Sequence, residues 1–256
     1  ELECDITPTA DFILLAHFLK RDLGAKTAKA ANRILSLQKE DGSWPIYHGG
    51  PGDISATVKG YFALKLAGHG AGEPRMQSAA RFIRAHGGVD AANTFMKFYL
   101  ALFGQWPWAR VPAMPPELFL LPSSFPFNIY AMSSWTRAIV VPMFLLYALK
   151  PRVDVAPEQG VSELIQGECF DVLPKKDPWT KFFHRMDFLL KGMEKNPLKP
   201  WRNKALRLCR DWILDRLPLS QGLGSIWPAM INGVMALSLL EFPGKKRILE
   251  ESLREI

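Results

Sequence analysis

Carboxylates, imidazoles and thiols are the groups with which this chain could do acid–base, metal or nucleophilic chemistry, and in its 256 residues they are dispersed. Glu40 with Asp41, and Asp53 beyond them, are the near pairs that a glycan-cleaving barrel would need. Glu40 and Asp41 lie in the turn Lys39-Glu40-Asp41-Gly42 and Asp53 stands just before an apolar run, and so they fit helix caps better. His17, His48, His69, His86 and His184 have no metal-ligand spacing, and they read as surface or loop residues. Cys4, Cys169 and Cys209 lie far apart with no Cys-x-x-Cys, which fits a reducing compartment and buried thiols. Gly70-Ala71-Gly72 follows no strand pattern, so no phosphate loop is expected. Neither a metal nor another cofactor is called for.

Two turns repeat a Gln, a Gly and a Trp within seven residues: Gln38, Gly42, Trp44, and Gln221, Gly224, Trp227. A Gln at a helix C-terminus can reach the free carbonyls there and the backbone of the next helix start while an indole packs over it. Both turns are therefore expected to staple helices. A third feature is the density of basic residues from Lys175 to Lys204, which alternate with Trp179, Phe182, Phe183 and Trp201, and the overlapping segment Phe170 to Met193 is the candidate for membrane contact. From Trp179 it sets Phe182, Phe183, Met186, Leu189 and Leu190 on one face and Lys181, Arg185 and Lys191 elsewhere, as an interfacial helix needs. The competing expectation is an ordinary outer helix of a bundle.

The elements that must position these residues are helical. Periodicity predicts helices over Asp11 to Leu19, Ala25 to Gln38, Ser55 to Ala67, Met76 to Ala85 and Ala91 to Phe103. After a proline-rich passage it predicts Trp135 to Leu149, Trp179 to Met193, Lys199 to Leu217, Trp227 to Leu240 and Lys245 to Glu255. Stretches beginning at Ala30, Ser78 and Arg207 each read as an amphipathic helix, a glycine turn and a more apolar helix. Arg33 and Arg81 stand 81 − 33 = 48 residues apart, a helical-hairpin period. Paired helices around one core predict an all-α fold, an α/α toroid with polar outer and apolar inner helices, in one domain over residues 1–256.

Composition narrows the function. With 48% hydrophobic residues the chain can build a large core, and 16 Phe, 8 Trp and 5 Tyr make it rich in aromatic residues. The longest apolar stretch, Ala138 to Leu149, is interrupted by Pro142 and is short of the ~20 residues that cross a bilayer. A net charge of +7 has two common readings, nucleic acid or an anionic membrane face. The absence of any nucleic-acid-binding pattern turns it toward lipid. The chain opens on Glu1 without a basic-then-apolar leader and reads as a fragment.

The Gln-Trp turns resemble those of squalene-hopene cyclases, and three further blocks carry the resemblance over nearly the whole chain. These are Met132-Ser133-Ser134-Trp135-Thr136-Arg137 followed by Val140-Val141-Pro142, Pro115-Pro116-Glu117, and Gly224-Ser225-Ile226-Trp227-Pro228-Ala229-Met230. The family resemblance implies a two-barrel enzyme of hopanoid biosynthesis, an isomerase or lyase, of which this chain is the inserted γ-type barrel and whose catalytic barrel is its partner. It implies a squalene-like polyprenyl substrate, cyclised through carbocations that aromatic faces stabilise in a dry cavity. Trp135 corresponds to the family's active-site tryptophan, Phe95 to a cavity phenylalanine, and Ile226 with Pro228 to the closing wall. Asp11 stands where the family usually has a glutamate. The family starts its reaction from an Asp-x-Asp-Asp acid, and none occurs among the 12 aspartates, nor does Asp-Asp-x-x-Asp. The donor therefore belongs to the other barrel, and this chain is expected to be inactive alone. The resemblance also implies peripheral, monotopic contact with the cytoplasmic face of a membrane through Trp179, Phe182 and Phe183, and it admits a homodimer. The alternative is a non-catalytic α/α-toroid module that binds an apolar ligand or a partner protein.

Overall fold

A computed structural model describes residues 5–125, 128–167, 178–219 and 221–256, without the side chains of Leu219 and Gln221. Among the described residues the regular structure is helical with no strand. The helices are α1 (Thr7–Phe18), α2 (Ala25–Ser36), α3 (Ile54–Leu66), α4 (Pro74–Ala85), α5 (Thr94–Leu102), α6 (Ser134–Leu149), α7 (Pro178–Lys195), α8 (Lys199–Arg216), α9 (Trp227–Ser238) and α10 (Lys245–Arg254), joined in places by short 3-10 turns. Asp53 caps α3, its carboxylate accepting from the Ala56 amide. One expected helix starts later than its periodicity suggests. Ala91 to Phe103 breaks at Ala92, where Val89–Ala91 is a 3-10 turn and Asn93 caps α5 by accepting from the Met96 amide. An Asn side chain that closes an N-terminus offers the backbone a better solution than continuing the helix.

The chain divides into two compact units, each built from two separate segments: Glu1–Val111 with Arg152–Asp177, and Pro112–Pro151 with Pro178–Ile256. In the first, α3 is buried at every position from Ala56 to Leu66 and packs against α1, α2 and α4. α2 buries only Ala31 and Ile34, so it is an outer helix with one apolar stripe. In the second, α9 is buried from Ala229 to Leu237 and packs on α6 and α10.

Burying α3 on all sides also buries its two lysines. The Lys59 ammonium donates to the Asp11 carboxylate of α1 at 2.8 Å and lies 4.5 Å from the centre of the Tyr99 ring. Asp11 is 1% exposed; burial pushes its carboxyl above the ordinary value, and Lys59 opposes that shift. Lys65 pairs with Glu163 at 3.2 Å, and the Tyr61 hydroxyl donates to the same carboxylate at 2.8 Å. Nearby, the Asp90 carboxylate accepts from the Gln166 and Gly167 amides at 2.8 and 3.2 Å. Three carboxylates thus tie α1 and residues 161–167 to the rest of the unit.

The bonds of the first Gln-Trp turn differ from those expected. The indole N–H of Trp44, not the Gln38 amide, takes a carbonyl of α2, donating to Ile34 at 2.7 Å. Gln38 donates to the Gly42 carbonyl and, in α4 rather than α3, to the Arg75 carbonyl, both at 3.0 Å. Trp44 is fully buried and its donor must be satisfied inside, whereas Gln38 sits near the surface where α4 passes. Gly42 has φ +87°, and a Cβ there would strike the Ser78 backbone of α4.

The unit makes two stability predictions, both read by urea unfolding. Gly68 has φ +97° with open space around it, so Gly68→Ala costs only the left-handed backbone, about 1–2 kcal/mol. Gly42→Ala adds the collision with α4 and costs about 3–4 kcal/mol; equal losses at the two sites would refute the close approach. Asp11→Ala leaves the Lys59 ammonium buried and costs about 3–5 kcal/mol, while the Asp11→Leu, Lys59→Met double variant costs markedly less.

Candidate functional site

In the second unit the Met132–Arg137 block is a capping structure. The Asn128 side chain accepts from the Tyr130 and Ala131 amides at 2.8 and 3.0 Å, and the Ser133 hydroxyl accepts from the Thr136 amide at the head of α6. The Arg137 guanidinium donates to the Met132 carbonyl at 2.7 Å and lies over the Tyr130 ring. These bonds fix the first turn of α6 so that Trp135 projects outward, 69% exposed.

Trp135 opens on a groove of about 320 Å³ that it lines with Ala138, Trp212, Leu223 and Ile226, and with Arg137 and Arg216. The far wall comes from the second Gln-Trp turn. Gly222, Leu223, Gly224 and Ser225 all have positive φ, a left-handed run in which two residues carry side chains. Leu223 accepts this backbone while buried, and Ile226 follows at the head of α9. The turn is thus not a copy of the first. Nothing is described of the Gln221 side chain, and the buried Trp227 indole N–H has no hydrogen-bond partner among the described residues. Trp212 was not singled out by the sequence. Its ring is buried beneath the Arg216 guanidinium at 4.1 Å, and only the tertiary course of α8 brings it beside Trp135.

The other expected cavity residues stand as follows. Pro228 is the second residue of α9, half-buried. In the first unit, Phe95 lies in the opening turn of α5 and is 56% exposed, whereas Asp11 is enclosed with Lys59. No group of three His, Cys, Asp or Glu among the described residues could hold a metal ion. Burial raises the Cys209 thiol and lowers the half-buried His17; Cys4 and Cys169 lie outside the described residues.

The amphipathic segment forms α7, and its first part, 170–177, lies outside the described residues. α7 buries a single side chain, Thr180. Its aromatic residues stay open, with Trp179 65% and Phe183 57% exposed and in ring contact with each other and with Phe182. The helix is held by polar contacts. Asp187 accepts from the Ala113 amide at 2.6 Å and pairs with Lys191; Glu194 accepts from the Met114 amide at 3.2 Å and pairs with Lys150 at 2.7 Å. The spacing of Thr180, Asp187 and Glu194, seven residues apart, is the sequence signal that marks this inward line. No described helix is long and apolar enough to cross a membrane.

Known proteins are similar to this sequence over nearly its whole length. Residues 1–256 match the model of the squalene-hopene cyclase N-terminal domain. The chain is 40% identical over 247 residues to the squalene–hopene cyclase of Zymomonas mobilis, which covers 95% of this chain and 37% of that protein. It is 34% identical over 241 residues to the squalene–hopene cyclase of Alicyclobacillus acidocaldarius, 93% of this chain and 38% of that protein. Dammaradiene synthase of Dryopteris crassirhizoma is 29% identical over 257 residues, 99% of this chain and 38% of that protein. The chain therefore spans less than two-fifths of each of these relatives. With its helical hairpins, its MSSW block at the head of α6 and this match from end to end, the chain belongs to the squalene-hopene cyclase N-terminal domain family and has that family's all-α, α/α-toroid fold class.

Proposed function

We propose that this chain supplies one wall of the cavity in which a squalene-like polyprene is cyclised through carbocations, within a squalene-hopene cyclase-like protein whose catalytic barrel is its partner. The observation that carries the reading is the open face of Trp135, held by the caps of α6 in a groove shared with Ile226. An indole face attracts a cation without donating a proton or trapping it covalently, as a passing carbocation requires. Phe95 and Pro228 are the further wall residues of this reading. Asp11, within the first unit, is the neutralising partner of Lys59.

Protonating an alkene needs a strong acid in an apolar pocket. Asp11 is the most deeply buried carboxyl among the described residues whose shift is resolved, and burial moves it toward weaker acidity while Lys59 occupies it. The acid is thus assigned to the partner barrel. Contact with a membrane, at its cytoplasmic face, is assigned to α7, whose exposed Trp179, Phe182 and Phe183 lie on the side opposite its basic residues.

Three measurements test these assignments. Incubated with squalene, the chain alone yields no hopene; any hopene formed sinks the assignment of the acid. In the full-length protein that carries this chain, Trp135→Ala lowers kcat about tenfold or more, and Trp135→Phe retains most of it, since about 2 kcal/mol of cation–π stabilisation corresponds to roughly 30-fold. In liposome flotation Trp179→Ala, Phe183→Ala reduces the bound fraction, and binding equal to wild type removes α7 from the membrane contact.

A further inference from the structure

We infer that the surface met by α7 is an anionic bilayer, selected by a helix that has turned its own carboxylates inward. The inference rests on the lipid reading of α7 and deepens it. At about 100° per residue the helix has three sectors. Thr180, Asp187 and Glu194 lie on one line and face the protein. To one side of that line run Phe183, Leu190, Trp179, Met186, Met193, Phe182 and Leu189. To the other run Lys191, His184, Lys195, Lys181 and Arg185, interrupted by Phe188 and Gly192.

Both acids of α7 are consumed. Asp187 holds the Ala113 amide and Lys191, and Glu194, its side chain 9% exposed, holds the Met114 amide and Lys150. Lys181, Arg185 and Lys195 are exposed and have no carboxylate partner among the described residues. The outer surface of the helix therefore offers aromatic side chains and cations that no described carboxylate neutralises. A neutral bilayer would use only the first; a bilayer whose headgroups carry net negative charge, with no headgroup cation to balance the phosphate, adds attraction for the second. Basic residues this close to an anionic leaflet each strengthen binding about fivefold, so the three together are worth about 100-fold at low ionic strength.

The test is partition of the chain onto phosphatidylcholine vesicles and onto vesicles of phosphatidylcholine with 30% phosphatidylglycerol, in low salt and in about 0.5 M salt. Wild type is expected to bind the anionic vesicles at least tenfold more tightly, and the preference is lost in high salt and in Lys181→Gln, Arg185→Gln, Lys195→Gln. Trp179→Ala, Phe183→Ala weakens binding to both vesicles and keeps the preference. Equal partition of wild type onto the two vesicles, or an undiminished preference in the triple variant, overturns the inference and leaves the lipid reading standing. Binding to neither vesicle overturns the lipid reading itself.

Discussion

Two ammonium groups on a helix buried all round set the terms for the first unit. α3 cannot give Lys59 and Lys65 to water, and a buried charge is tolerated only beside an opposite one. Lys59 therefore requires Asp11, which places α1 against α3; Lys65 requires Glu163, which draws residues 161–167 onto the same unit. The remaining polar ends are closed by the same logic: Trp44 occupies the Ile34 carbonyl, and Arg75 donates to that of Leu35 at 2.8 Å. Apolar packing supplies the driving force, and these pairs decide which packing is admissible.

The second unit disposes of its apolar surface in the opposite manner. α9 is enclosed, whereas α7 keeps its aromatic residues outside and is retained by carboxylates that hold backbone amides and lysines. The Tyr147 hydroxyl is driven to higher pKa by burial first and then by the charges of Glu194 and Asp187. The groove at Trp135 follows the same pattern on a smaller scale. One indole faces outward, and a second, Trp212, is covered by a guanidinium. Only the open ring has a face to offer a cation.

The helices were legible because their signals are local: Asp53 before an apolar run, Gly68 after one, and a 3.6-residue period between. Misjudged features depend on what arrives from elsewhere in the chain. Gln38 reaches Arg75, 37 residues away, which no turn pattern announces. The second Gln-Trp turn shares residue types with the first and adopts a different backbone, because Leu223 gains burial by accepting positive φ. At the site, the MSSW block was readable as a motif, and its capping bonds are local to it. Trp212 and Lys59 were not, since a tryptophan and a lysine in helical sequence say nothing of their partners until α8 and α1 are in place.

Each unit is completed by a segment that comes later in the chain, after part of the other unit has been made. During synthesis the amino-terminal helices are finished at Val111, yet Lys65 and the Tyr61 hydroxyl lack Glu163, and Asp90 its two amides, until some fifty further residues have emerged. Meanwhile Pro112–Pro151 holds the exposed Trp135 and lacks α8 and α9 to cover α6. Neither half is a unit that a single cut could release, so the two mature together, and a ribosome pausing between residues 111 and 152 would hold both with their polar partners missing.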